Sequence, residues 1–389
     1  MQWVRRVLER TLLESAGVFP ALILTGPRRT GKTEALRDCF DVAEYVLLED
    51  PDILARVRSD PRGFIADLSP PVIIDEIQNA PELFGYLRAA IDRSKNMPWQ
   101  WFLTGSQEAP LMKGVTESMA GRAAIFQMLP FSRIESDKVT LLRGGFPEVL
   151  AKPKFRDIWF SSYLQTYFER DVRALVNVRD LATFRRFLSL TASRHGQVLN
   201  RTDLAAPLGL SVPTVSNWLN ILETTGHLLL VPPYFANFGK RLTKSPKLYW
   251  TDSGLLCHLL GIRTGQELER SPFLGAIFEG FIAAELVKSQ INRGLRRELY
   301  FFRDEQGLEV DFLFPGPKQT LWLIECKAGH TVEPSMAKSV NALARAAKET
   351  VKTRSIVVHR RLPDAPKTTA LAPGVEALDM DELIALVNR

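Results

Sequence analysis

Cysteine is scarce in this chain. Cys39, Cys257 and Cys326 stand alone, with no CxxC pair and no metal-ligand spacing around them. That excludes a disulfide framework and a zinc site, and it fits a reducing compartment with three small buried apolar residues. Long apolar runs are missing too. None approaches the roughly 18 residues needed to cross a bilayer, and Arg5, Arg6 and Arg10 near the start are not followed by a signal-peptide core. A soluble, cytoplasmic protein is expected. Neither sign of charge dominates: 50 Lys plus Arg against 44 Asp plus Glu leave a formal +6, which tolerates a polyanionic partner without demanding one. What the chain does have is length. At 389 residues and 46% hydrophobic it exceeds what a single core holds, so several domains are expected.

Ala21 to Thr25 is a short apolar, β-compatible run. It leads directly into Gly26-Pro27-Arg28-Arg29-Thr30-Gly31-Lys32-Thr33, and Glu34 to Phe40 then reads as a helix. Strand, GxxxxGK[ST] and helix thus stand in the order a phosphate-binding loop requires. Gly26 and Gly31 let backbone N–H groups turn inward, where they and the helix N-terminus cradle phosphates. Lys32 pairs with the β and γ phosphates and the Thr33 hydroxyl with Mg²⁺. Residues Gly26 through Glu34 are therefore the candidate ATP-binding segment. A second buried-type strand, Pro71 to Asp75, ends in two carboxylates. Asp75 is assigned to the Mg²⁺ shell and Glu76 to polarising the attacking water. A third strand, Trp99 to Leu103, ends in Thr104-Gly105-Ser106, so Thr104 or Ser106 is the candidate sensor of the γ phosphate. Arg122, in Ser118-Met-Ala-Gly-Arg122, is a candidate to stabilise transition-state charge in its own or a neighbouring subunit.

From Pro130 to Arg194 the periodicity is helical, broken by a tight turn at Gly144-Gly145-Phe146-Pro147, and reads as a lid and connector. Glu169, Arg170 and Asp171 close an aromatic-rich helix; ion pairing and an intersubunit role for Arg170 or Arg173 both stand open. Thr202 to Leu222 has the form of a helix-turn-helix, with a turn at Gly209, a cap at Ser211 and an apolar seam of Leu204, Ala205, Leu208, Val215, Leu219 and Leu222. Leu228 to Val231 and Lys247 to Trp250 resemble wing strands, joined by a loop with Lys240, Arg241, Lys244 and Lys247, so a winged helix is expected. Its second helix exposes Thr214, Ser216, Asn217 and Asn220 but carries no Arg or Lys to pair with guanine. Any DNA contact is thus expected to be mostly nonspecific, and a protein-interaction role stands beside it.

Gly275 to Val287 reads as an amphipathic helix carrying Glu279 and Glu285. Three strands follow: Leu299 to Arg303, Leu308 to Phe314 with Asp311 at a strand turn, and Leu321 to Lys327. Glu325 and Lys327 lie two apart and share a strand face. This is the order of a restriction endonuclease, with Glu279, Asp311 and Glu325 as oxygen ligands to Mg²⁺ and Lys327 as the residue that orients or deprotonates water.

The whole chain resembles a family of prokaryotic AAA-type ATPases whose C-terminal domain of unknown function is similar to a restriction endonuclease. The segments that carry this are GPRRTGKT (26–33), VIIDEIQ (72–78), LTGS (103–106), SMAGR (118–122), LPFS (129–132), GGFP (144–147), YFERDV (167–172), YWTDSGLLCHLLG (249–261), GAIFEGF (275–281), EVDF and ECK. The resemblance implies an α/β fold: an AAA-type P-loop domain over 1–130, a helical lid and connector over 131–195, a winged helix over 196–265 and a restriction-endonuclease-like α/β domain over 266–389. It also implies a homo-oligomer, ring or hexamer included, and strengthens Arg122 as a phosphate-sensing arginine. Two departures stand out. Gln107 follows Ser106 where the family often has two serines, and Val310 precedes Asp311 in place of the nuclease proline. The leading expectation is an ATPase acting on DNA, with nuclease chemistry open; the other is a regulatory ATPase switch that binds a protein partner and cuts nothing.

Overall fold

The computed structural model describes residues 4–40, 44–95, 97–105, 118–168, 181–234 and 245–389, apart from 363, 365, 366 and 368. Ser106, Gln107, Arg170, Arg173, Lys240, Arg241 and Lys244, singled out above, lie outside the described residues, as do Glu169 and Asp171.

Ala21–Thr25 is buried at every position and forms β1. With β2 (Glu44–Leu47), β3 (Val72–Asp75), β4 (Trp101–Thr104) and β5 (Ala123–Gln127) it makes a five-stranded sheet, order β2-β3-β4-β1-β5, in which every pairing is parallel. Such strands are covered on both faces, which is why they read as apolar runs without alternation. Ile23, Ile74 and Leu103 pack under the helices Pro61–Asp67 and Leu83–Arg93, while Leu22, Leu24 and Phe102 pack under Leu8–Ala16 and Lys32–Cys39. Because the chain leaves β1 for the far edge and returns strand by strand, the C-terminal ends of β1, β3 and β4 open beside one another. A parallel sheet places its ligand sites along that edge.

A helix Leu181–Ser193, the short strand β6 (Gln197–Val198), helices Arg201–Ala205 and Val212–Thr224, then β7 (Leu228–Val231) and β8 (Lys247–Trp250) follow in the middle of the chain. The strands form a small antiparallel sheet, β6-β8-β7. Gly209 takes a left-handed turn, and the Ser211 hydroxyl accepts the Thr214 N–H to start the second helix. The whole apolar seam read from the sequence is buried. Trp218, absent from that seam, is buried as well, edge-on to Phe184 and Phe187 at 5.1 Å each, contacts worth roughly 0.5–1.5 kcal/mol beyond their area.

The C-terminal sheet runs β13-β14-β12-β11-β10-β9, with β9 (Tyr300–Arg303), β10 (Glu309–Gly316) and β11 (Thr320–Lys327) antiparallel, and β11, β12 (Lys352–His359) and β14 (Val375–Asp379) parallel; β13 is Ala370–Ala372. Two expectations need correction here. Asp311 sits within β10 at a register shift, not at a strand turn. The helix Leu274–Ile291 is not amphipathic: fourteen of its residues from Ile277 to Ile291 are buried, because the C-terminal sheet covers one side and the rest of the chain the other. One continuous hydrophobic core runs from Leu129 to Val387.

The segments 129–132, 144–147 and 252–254 meet at the centre of this arrangement. Phe131 N–H donates to the Gly145 carbonyl at 2.8 Å, Gly145 N–H to buried Asp252 at 2.7 Å, and Asp252 also caps the next helix at Leu255. Lys288 Nζ donates to the Phe131 carbonyl at 3.0 Å, and Arg133 N–H to Glu285 at 2.8 Å. These motifs thus anchor the long helix of the C-terminal part to the ATPase sheet. No helix among the described residues is long and apolar enough to cross a membrane.

Candidate functional site

The loop after β1 turns through left-handed conformations at Arg29 (φ 63°) and Gly31 (φ 86°), and Gly31 caps the helix Lys32–Cys39. Gly26 is fixed doubly, by φ 132° and by the Met128 backbone, which a β-carbon would strike. Lys32, buried, folds back so that Nζ donates to the carbonyls of Gly26 (3.0 Å) and Pro27 (2.9 Å). Thr33 Oγ1 donates to Asp75 Oδ2 at 2.8 Å. Thr104 Oγ1 donates to Asp75 Oδ1 and accepts Glu76 N–H at 3.2 Å, so one buried hydroxyl ties the two acids together. Glu76 leaves the strand at φ 57°, a conformation that a non-glycine residue holds only where its surroundings impose it, and Gln78 Nε2 donates to its carboxylate. The expected Thr33, Lys32, Asp75, Glu76 and Thr104 therefore converge. Thr104 holds the acids, a role different from the sensor read from sequence.

Above this group lies a cavity of about 830 Å³, lined by Arg28, Arg29, Thr30, Gly31, Lys32, Thr33, Glu34 and Glu76 from below and by Glu148, Phe155 and Trp159 of the following segment from above. Arg28 pairs with Glu49 at 3.0 Å, Arg29 with Glu148 at 2.5 Å, and Thr30 Oγ1 donates to the Pro27 carbonyl. Arg122 is elsewhere. It directly precedes β5, which runs beside β1 from Ala21 to Thr25, so it sits at the opposite end of the sheet, and it pairs with Asp92 at 2.6 and 3.1 Å. Five strand residues at about 3.3 Å each separate it from the loop. Of the two positions expected for Arg122, its own phosphate site is excluded.

The sequence reading missed Arg6 and Tyr45. Arg6 is buried, donates to the carbonyls of Thr30 (3.2 Å) and Leu129 (2.6 Å), and pairs with Glu135. Burial pushes Glu135 up, but Arg6 and donors from Ser132 and Val7 hold it below its ordinary range. Tyr45 OH donates to Asp75 Oδ2 at 2.8 Å, and burial followed by that carboxylate pushes the phenol up. Nothing in the sequence ties Tyr45 to Asp75, because strand order is not written there.

The C-terminal carboxylates come together, but around a lysine. Lys247, at the start of β8, is 3% exposed; its Nζ stands 2.9 Å from Glu279, 2.6 Å from Glu309 and 3.7 Å from Asp311. Tyr249, two residues on, donates to Glu279 Oε1. Asp311 Oδ2 accepts Cys326 N–H at 2.8 Å and Glu325 Oε1 accepts Lys327 at 2.7 Å. Burial, then the Asp311 charge, pushes Glu279 and Glu325 up to about 7, and burial raises Asp311. Burial lowers Lys247, but the facing carboxylates outweigh it and raise it. Among the described residues no group of three or more His, Cys, Asp or Glu is arranged to hold a metal ion. The expected Mg²⁺ ligation by Glu279, Asp311 and Glu325, with Lys327 on the water, therefore does not fit this arrangement, and Lys247 is no longer available to a basic wing. The signal was present: Lys247 and Tyr249 alternate onto one strand face.

Residues 18–136 match the family described as an AAA domain, 110–266 a domain of unknown function (DUF8612), and 274–376 another (DUF4143). Uncharacterized proteins of Mycobacterium tuberculosis and Mycobacterium bovis are each 34% identical over 315 residues, covering 79% of this chain and 68% of theirs. The chain belongs to their family. Its N-terminal part is accordingly an AAA-type P-loop ATPase domain. Among solved structures, a Walker-type ATPase of Pyrococcus abyssi is 16% identical, over 65% of this chain and 94% of its own, at TM-score 0.46. The RuvB Holliday junction branch migration motor of Thermotoga maritima is 16% identical, over 58% of this chain and 89% of its own, at 0.30. The first two family matches overlap over residues 110–136.

Proposed function

We propose that this protein binds MgATP in the cavity above the phosphate loop, hydrolyses it, and passes the nucleotide state to the segments packed over that loop. The observation that carries the reading is the convergence of Thr33, Asp75, Glu76 and Thr104 under a cavity rimmed by Lys32 and the loop backbone. Loop N–H groups and Lys32 hold the phosphates once Lys32 exchanges its two carbonyl partners for phosphate oxygens. Thr33 and Asp75, already sharing a hydrogen bond, are an oxygen donor pair suited to Mg²⁺, which supplies charge neutralisation at the β and γ oxygens. Glu76 takes a proton from the attacking water as the bond from the γ phosphorus to ADP breaks. Arg122 serves a neighbouring subunit of a homo-oligomer.

Residues 196–265 act as a winged helix toward DNA, through phosphates and without base readout. The supporting observation is the arrangement of exposed Arg185 and Arg186 on the helix Leu181–Ser193 and Arg194 in the turn after it, beside a second helix whose exposed Asn217 and Asn220 are uncharged. A second reading, binding of a protein partner, draws on that same uncharged face. The Glu279, Asp311, Glu325 and Lys327 group contributes no nuclease step. ATP turnover by purified protein, with and without DNA, separates the cases. Stimulation by DNA supports the first reading and indifference the second, and wild-type turnover in Glu76→Gln would remove the water-polarising role from Glu76.

A further inference from the structure

The cleft between β10, β11 and the helix Leu274–Ile291 has the form of a cation site, and its cation is part of the chain. We infer that the Lys247 ammonium is the resident cation of the Glu279, Glu309 and Asp311 cleft, standing where a nuclease-like domain would carry a divalent metal and clamping β8 to the C-terminal sheet. The ammonium lies within hydrogen-bond distance of Glu279 and Glu309 and makes a longer ion pair, 3.7 Å, with Asp311. Three of the carboxylate oxygens in the cleft already accept hydrogen bonds. Glu279 Oε1 takes Lys247 and Tyr249, Asp311 Oδ2 takes Cys326 N–H, and Glu325 Oε1 takes Lys327. Glu325 Oε2 is buried without a hydrogen-bond partner, and a divalent ion would have to displace the ammonium to gather the other carboxylates around it.

The position of the lysine is built into β8. Lys247 and Tyr249 alternate with Leu248 and Trp250, so both polar ends reach the same side, where Glu279 lies on the helix. Lys247 also lies 5.6 Å from the Phe301 ring centre. Removing such an ammonium leaves buried carboxylates uncompensated, so the cluster closes only with the lysine or with another cation in its place. The small β6-β8-β7 sheet is thereby joined to the C-terminal sheet by charge as well as by the shared core.

The test uses full-length, nucleotide-free protein and Mn²⁺ alone, with free Mn²⁺ followed by electron paramagnetic resonance. Wild type and Asp311→Asn are expected to bind Mn²⁺ identically, since the cleft is filled. Lys247→Met is expected to gain a site at least about tenfold tighter than any in wild type, lost again when Asp311→Asn is added. If Asp311→Asn removes a Mn²⁺ site from wild type, metal displaces the lysine and the inference falls. If Lys247→Met folds and gains no Mn²⁺, the cleft is an ion-pair cluster and not a cation site, and the inference falls equally. Should Lys247→Met not fold, the comparison of wild type with Asp311→Asn decides alone.

Discussion

Gly226 lies directly against Pro27 of the phosphate loop: a β-carbon at 226 would stand 3.0 Å from Pro27 Cδ and 3.1 Å from Leu129 Cδ2. Gly226 opens the turn into β7, and its carbonyl accepts from Thr251 at the end of β8. The phosphate loop therefore touches the turn into the small sheet with no other side chain in between. A packed contact of this kind is bistable and not continuously compressible, so the two parts shift together.

Gly226→Ala is accordingly expected to weaken ATP binding by roughly tenfold, within the usual span of coupling energies. Gly209→Ala supplies the control. Both glycines are left-handed, at φ 77° and 64°, but nothing lies within 4 Å of a β-carbon at 209. Equal loss in both variants, measured with a fluorescent ATP analogue, would reduce the effect to backbone strain and remove the coupling.

Thr104 spans Asp75 and Glu76 from beneath, without an exposed atom. Its loss removes one hydrogen bond from Asp75 and the anchor of the Glu76 N–H, while Thr33, Tyr45 and Gln78 keep their contacts to the acids and the phosphate loop is left intact. Thr104→Ala should lower kcat by about 10- to 100-fold, the usual effect of removing a supporting hydrogen bond, and change the ATP Kd far less. Thr104→Ser should recover most of the rate. A binding loss as large as the rate loss would argue for direct contact with the γ phosphate.

Arg122, at the far end of the sheet from its own loop, acts only on a neighbour if it acts at all. Mixing Arg122→Ala with Lys32→Ala subunits should then restore part of the ATPase activity, because some interfaces combine an intact loop with an intact arginine; an arginine supplied in trans is worth roughly 10³ or more in rate. Co-assembled mixtures as inactive as their parents would leave Arg122 as the partner of Asp92 and nothing further.

The parts legible in the sequence were those written locally. Ala21–Thr25 and Leu228–Val231 appear as strands with the bounds read from their apolar runs, and Gly209 and Ser211 do what a turn and a cap do. The phosphate loop was legible because its chemistry depends on adjacent residues. Tyr45 was not, because its partner Asp75 comes from a strand thirty residues away whose neighbour is set by sheet order. The amphipathic reading of Leu274–Ile291 failed because Glu279, half-buried, faces Lys247 of β8 and Glu285, buried, pairs with Lys288 one turn along the same helix and accepts the Arg133 N–H. A charge such as Glu279, paired with a lysine of a different strand, leaves no periodic trace.

His227 gives the protein a defined response to acid. It is buried, with Nε2 2.9 Å from the Tyr163 hydroxyl and Nδ1 2.9 Å from Thr225 Oγ1, and burial followed by the nearby Lys32 charge pushes its pKa down to about 3. An ordinary histidine titrates near 6.5, so above that pH both the folded and unfolded chains hold it neutral. Between 6.5 and about 3 the unfolded chain takes up a proton that the folded chain refuses, and stability falls as pH falls, by about 1.4 kcal/mol per pH unit. His195, buried and also pushed down to about 3, acts in the same direction. Glu279 and Glu325, raised from 4.5 to about 7, act in the opposite one: between those values the folded chain keeps a proton that the unfolded chain gives up, so their contribution grows as pH falls. These opposing terms flatten the pH profile of the whole protein and hide the histidine. The difference between wild type and His227→Gln isolates it, since the other groups are common to both. In urea unfolding of nucleotide-free protein, the deficit of the variant at pH 7 should shrink by about 2 kcal/mol at pH 5. A deficit that stays constant across that range would mean that His227 accepts its proton in the folded state, and that its hydroxyl-lined cage is open to solvent.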